Sequence, residues 1–270
     1  MIAALDHVAI AVKDLDAAAN AYEALLGHAA ERTPAASGAE RAWFHLSNTS
    51  LELIGAVGPG PAGDRVRARL EAAGEGLWII AFAVSDLAAA RRTLERRGVA
   101  GSLTESGALL TDPEATHGVQ MAFLQREAGT RPSSVAGDAA NLIGLDHVVV
   151  HTPNPERAAA LYGARLGLDL RLDRSNPDWG VRQLFFRCGD LVVEIGHGLK
   201  AGVSDGPDGL GGLAWRAADP EAAQARLAKV GFNVSEVRGG RKPGTQVFTV
   251  RDRTFGVPTL VLSASLRGQT

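Results

Sequence analysis

Leu5-Asp6-His7-Val8 recurs 140 residues further on as Leu145-Asp146-His147-Val148, and these two stretches decide the fold. A fixed-period repeat governs every later assignment. The register holds through Tyr22/Tyr162 and Leu26-Gly27/Leu166-Gly167 without an insertion. Leu51-Glu52-Leu53-Ile54 then finds its counterpart in Val193-Glu194-Ile195-Gly196, 142 residues apart. Each copy therefore carries one histidine and one glutamate on strands, a candidate start of a metal site.

Working outward, His7 to Val12 alternates as a strand, and Asp14 caps a helix predicted over Leu15–Leu26 that Gly27 ends. Strands over Glu31–Thr33, Ala39–Leu46 and Thr49–Ile54 complete a βαβββ unit. A second unit opens with Trp78-Ile79-Ile80-Ala81-Phe82, continues with a helix from Asp86 to Gly98, and closes on a strand from Val119 to Leu124. A fourth has a strand over Leu213–Ala217, a helix over Glu221–Val230 and an end over Gly256–Leu262. Asp86/Asp219, Leu94/Leu227 and Gly98/Gly231 share a spacing of 133. The chain thus reads as α+β: four βαβββ modules in the order A-B-A′-B′, in two domains, 1–128 and 141–270, with cup-shaped half-barrel sheets. Arg126–Ala140 is the expected linker, and a helix is expected over Asp64–Ala73. The glycine-rich stretch Gly198–Gly212 is expected to be a mobile surface loop or lid.

The 270 residues carry a formal charge of -2, which gives no nucleic-acid footprint. The only cysteine is Cys188, so no intrachain disulfide forms and a reducing compartment is expected. The N-terminal stretch lacks a leader pattern and no run of about 18 apolar residues exists, so the expectation is a cytoplasmic protein off the membrane. The glycines form no P-loop or dinucleotide fingerprint, so no nucleotide cofactor is expected.

Four such modules, opening on Leu-Asp-His-Val-Ala-Ile-Ala-Val and closing on Leu-Glu-Leu-Ile, resemble the vicinal oxygen chelate superfamily. It includes glyoxalase I, methylmalonyl-CoA epimerase, extradiol dioxygenases and bleomycin-resistance proteins. The join Arg69-Leu-Glu-Ala-Ala-Gly-Glu-Gly-Leu-Trp-Ile-Ile-Ala-Phe82 is similar to the epimerase branch, where a histidine usually stands in place of Ile79. The resemblance implies a cup of one odd and one even module with a divalent metal (Zn, Ni, Mn, Co or Fe) on its floor. Carried over position by position, the metal ligands are His7 with Glu52 and His147 with Glu194. The even modules depart from the pattern at Ile79, Ala122, Gly212 and Leu260. Each cup then inherits two ligands, whereas catalytic sites generally use three.

Strand alternation extends the site. A Ser47-Asn48 turn pairs His45 with Ser50 and Trp43 with Glu52, placing Trp43 and His45 on the face of Glu52. His45 would complete two imidazoles and a carboxylate, the set that suits Fe(II), Mn(II) or Zn(II); a lining residue bonded to Ser50 is the plainer alternative. In the second copy, a Gly189-Asp190 turn puts Arg187 where His45 stands. His151 shares the face of His147 but lies about 13 Å from it, so it is expected to be a rim residue contacting substrate or a solvated one. Arg187 and Arg216, with Trp179 at the mouth, favour an anionic ligand. Asp178, Asp205 and Asp208 read as turn residues, and Cys188 as a small packed residue.

The expected activity is a metal-dependent isomerase or lyase in which Glu52 or Glu194 moves a proton of a small oxygenated molecule. A metal-free binder that sequesters a drug is the alternative, and an Fe(II) extradiol-type dioxygenase a second one. The expected partner is a small-molecule substrate or ligand, and the expected state a monomer or homodimer.

Overall fold

The computed structural model describes residues 1–127, 138–241 and 243–263. Most of the expected linker, Lys242, and the chain beyond residue 263 fall outside them. Four βαβββ modules follow one another. The first is β1 (Ile2–Ala11), α1 (Leu15–Leu26), β2 (Glu31–Ala36), β3 (Ala39–His45) and β4 (Ser50–Ala56), with α2 (Pro61–Ala73) after it. The second is β5 (Gly76–Val84), α3 (Leu87–Arg96), β6 (Gly101–Leu103), β7 (Leu109–Thr111) and β8 (Gln120–Gln125). The third is β9 (Leu142–His151), α4 (Pro155–Ala159), β10 (Asp169–Asn176), β11 (Val181–Cys188) and β12 (Leu191–Gly198). The fourth is β13 (Gly209–Ala217), α5 (Pro220–Lys229), β14 (Arg238–Gly239), β15 (Gln246–Val250) and β16 (Thr259–Ser263). They build two mixed sheets of eight strands, in the orders β2-β3-β4-β1-β5-β8-β7-β6 and β10-β11-β12-β9-β13-β16-β15-β14.

Local chemistry explains the helix limits. The Asp14 carboxylate accepts from the Ala17 amide at 2.9 Å, Asp86 does the same for Ala89, and Asp219 caps α5. Gly27, at φ 79°, ends α1 in the left-handed region that glycine occupies without strain. The third module departs from the α-helix expected there: Asn154 caps α4, which passes after one turn into a π-helical stretch over Ala160–Arg165.

The described chain falls into two compact units. Of the described residues, one holds 1–8, 78–127 and 147–211; the other holds 9–77, 138–146, 212–241 and 243–263. In the first, Tyr162 packs on Phe186 (5.9 Å between ring centroids) and Phe82 on Phe123 (5.5 Å). In the second, Tyr22 packs on Phe44, and its hydroxyl donates to the Thr254 carbonyl at 3.1 Å.

Candidate functional site

In the first unit, β9, β11 and β12 each present two different faces. Val148, Val150, Leu184, Phe186, Val193 and Ile195 are buried, as an apolar face packed beneath a helix must be. The other face carries His147, Val149 and His151 of β9, Glu194 of β12, and Gln183 and Phe185 of β11. The pairings Glu194↔Val149, Phe185↔Glu194 and Gln183↔Gly196 place them side by side. Most of these residues are only partly covered.

His147 Nε2 lies 3.5 Å from Glu194 Oε2. The other carboxylate oxygen, Oε1, accepts from Gln183 Nε2 at 2.5 Å. Gln183 in turn accepts from Arg174 Nη2 at 3.3 Å, and the Arg174 guanidinium lies over the rings of Trp179 (5.2 Å) and Phe185 (5.6 Å). Trp179 stands in the Pro177–Gly180 turn between β10 and β11, with its amide held by the Asn176 side chain at 3.2 Å. A continuous row therefore runs Trp179–Arg174–Gln183–Glu194–His147.

The expected cross-strand register is the observed one: Trp43 faces Glu52, His45 faces Ser50, and Arg187 faces Val192. Beyond the register, each residue's partners are set locally. His45 donates or accepts at Ser50 Oγ (2.9 Å), lies 3.3 Å from Glu31, and stacks on Trp43. Glu52, only 7% exposed, accepts from Arg41 Nε at 2.8 Å. The His7 ring contacts Asp6 through Nδ1 at 2.7 Å, and Arg126 donates twice to the same carboxylate. Burial pushes the Asp6 carboxyl up, but the hydrogen bonds from His7 and Arg126 outweigh it and bring it down to about 2. Arg216 donates to Asp146 at 3.0 Å, and Arg187 donates to the Gly189 carbonyl at the exposed end of β11. His151 is exposed, its ring lodged against the backbones of Gly196 and Gly211.

Two sequence expectations are corrected. Gly198–Gly212 is no free lid: Leu199–Ala201 forms a helical turn, β13 begins at Gly209, and Arg157 donates to the carbonyls of Asp205 and Gly206. Asp208 is no simple turn residue either. Its buried carboxylate accepts from Arg157 at 2.8 Å and from Thr152 Oγ1 at 2.7 Å. Sequence reasoning also missed Arg174 and Gln183. Alternation back from Asn176 places Arg174 on this face, but the chain offered no sign of how its side chain would be matched.

The resemblance implies a divalent ion here, and the donor set tests that. His147 and Glu194 supply two donors, one oxygen of Glu194 is engaged by Gln183, and Glu52 already neutralises a guanidinium. Among the described residues no three His, Cys, Asp or Glu side chains gather closely enough to hold a metal. The residues fall one short of a catalytic set and do not fit a firmly held ion.

Residues 6–123 and 146–249 both match the Glyoxalase/Bleomycin resistance protein/Dioxygenase superfamily, and the chain belongs to that family. It is 38% identical over 97 residues to an ethylmalonyl-CoA/methylmalonyl-CoA epimerase of Cereibacter sphaeroides, covering 33% of this chain and 72% of the relative. Its fold is similar to that of a variant of 4-hydroxymandelate synthase from Streptomyces coelicolor (TM-score 0.74, 13% identity, 100% of this chain and 95% of that one). It is likewise similar to that of an Mn(II)-bound glyoxalase from Novosphingobium aromaticivorans (TM-score 0.68, 18% identity, 97% and 82%). Among the described residues no helix is long and apolar enough to cross a membrane.

Proposed function

We propose that the chain is a proton-transfer enzyme of the isomerase or epimerase type, acting on a small oxygenated organic molecule at the open face of its third module. The observation that carries this reading is the 3.5 Å approach of His147 Nε2 to Glu194 Oε2 on a partly covered face. Glu194 takes the proton from a carbon next to a carbonyl, and the electron pair passes onto the carbonyl oxygen as an enolate. His147 supplies a proton to that oxygen or returns one to carbon. Gln183 holds Glu194 Oε1 in place and leaves the carboxylate its charge, since an amide donates a hydrogen bond without neutralising it. The likeness to an epimerase supports the reaction class.

The test is solvent exchange. In D2O, methylmalonyl-CoA or ethylmalonyl-CoA incubated with the protein acquires deuterium at its α-carbon, read by proton NMR. Glu194→Gln is expected to lower the rate by about 10²-fold or more. Exchange that is absent, or unchanged in that variant, removes the reading.

A second reading, a small-molecule binder without chemistry, is favoured by one observation: the equivalent carboxylate of the first copy, Glu52, is neutralised by Arg41. Saturable ligand binding with no exchange in any substrate tested would select it.

A further inference from the structure

Arg41 meets Glu52, Arg126 meets Asp6, Arg157 meets Asp208, Arg182 meets Asp173 and Glu156, and Arg216 meets Asp146. Among the described residues Arg174 meets no carboxylate. Among the described residues its one hydrogen bond goes to the neutral Gln183, and its buried Nε has no partner at all. Two aromatic rings hold the guanidinium in place by cation–π contact. A cation fixed by rings and left with donors unspent is prepared for an anion that comes from outside the chain.

The surroundings narrow that anion. Leu172, 46% exposed, stands opposite Phe185 on the same face, and Trp179 is 40% exposed. Apolar surface thus flanks the guanidinium. Comparison with the first copy sharpens the point. By register Arg41 stands where Gln183 does, and Thr33 where Arg174 does. There the cation sits directly on the glutamate; here it is moved one strand outward and a neutral amide stands between. Arg174 and Glu194 are then two strand spacings across and two residues along, about 12 Å apart at the backbone, a span that one small molecule can bridge.

We propose that Arg174, clasped between Trp179 and Phe185, receives the carboxylate of an organic acid with an aromatic or branched apolar body. This contact lays the rest of the molecule towards Glu194 and His147. Only that orientation rests on the proton-transfer reading; the anion contact does not. A planar guanidinium presents parallel donors that match a carboxylate.

Calorimetric titration of the full chain with benzoate, at fixed ionic strength, tests it, with benzamide as the uncharged twin. Benzoate is expected to bind saturably and at least about tenfold more tightly than benzamide. Arg174→Met is expected to lose about tenfold or more in benzoate affinity while benzamide is unaffected. Arg174→Lys, which keeps the charge and loses the planar fork, is expected to fall between the two. Should Arg174→Met fail to fold, the benzoate-to-benzamide ratio and Arg174→Lys decide. Equal binding of the twins, undiminished benzoate binding in folded Arg174→Met, or displacement of benzoate by equimolar inorganic phosphate overturns the proposal. Benzoate binding that depends on Arg174, in a protein that catalyses no deuterium exchange, keeps this inference and removes the proton-transfer one.

Discussion

Asp6 shows how much one carboxylate does when two donors converge on it. Its unfolded value of 3.8 falls to about 2 in the fold. A depressed folded value means that the ionised form stabilises the protein above about pH 4, and that this contribution disappears as pH drops towards 2. The amount is on the order of 2 kcal/mol. Acid unfolding followed by circular dichroism is expected to show stability declining from pH 4 to pH 2, with a shallower decline in Asp6→Asn. At this scale strand register was legible: a two-residue turn at Ser47-Asn48 fixes Trp43 opposite Glu52. Partner choice was not. Nothing in alternation says that Glu52 meets a guanidinium and Glu194 an amide, because long side chains reach several rungs. Asp208 was opaque for a related reason, since its partner Arg157 comes from a helix 51 residues away in sequence.

Helix ends are where element-scale chemistry can be weighed. Gly27 and Gly167 hold the same place in the two copies and nearly the same backbone, φ 79° and 78°. Their surroundings differ. A Cβ at Gly27 would lie 2.0 Å from the Asn141 side chain, which itself donates to the Gly27 carbonyl; at Gly167 the nearest atom is 3.6 Å away. Gly167→Ala is therefore expected to cost about 1 kcal/mol from backbone strain alone, and Gly27→Ala clearly more. Urea denaturation of both variants measures the difference. The caps at Asp14, Asp86 and Asp219 were readable in the sequence because each is a local contact. The π-helical turn after α4 was not, since the repeated Tyr162 and Leu166-Gly167 preserve the spacing of an ordinary helix.

At the scale of the molecule, the duplication was legible because identical residues recur in register within each module pair, 140 residues apart at the start of the first pair and 133 in the second, and the four modules follow from it. The pair of donors at His147 and Glu194 yields a bulk property. An ion held by three ligands at micromolar affinity would add about 4 kcal/mol at millimolar concentration and raise the melting temperature by several degrees. Millimolar Mn(II) or Zn(II) is expected to shift it by less than about 2 °C, as fits an affinity no tighter than millimolar. A larger rise by differential scanning fluorimetry, lost in His147→Ala, would show a third ligand. The neutral amide of Gln183 has a hereditary consequence. Glutamine and arginine codons differ by one nucleotide, so a single base change would give the later copy the earlier copy's guanidinium at this position.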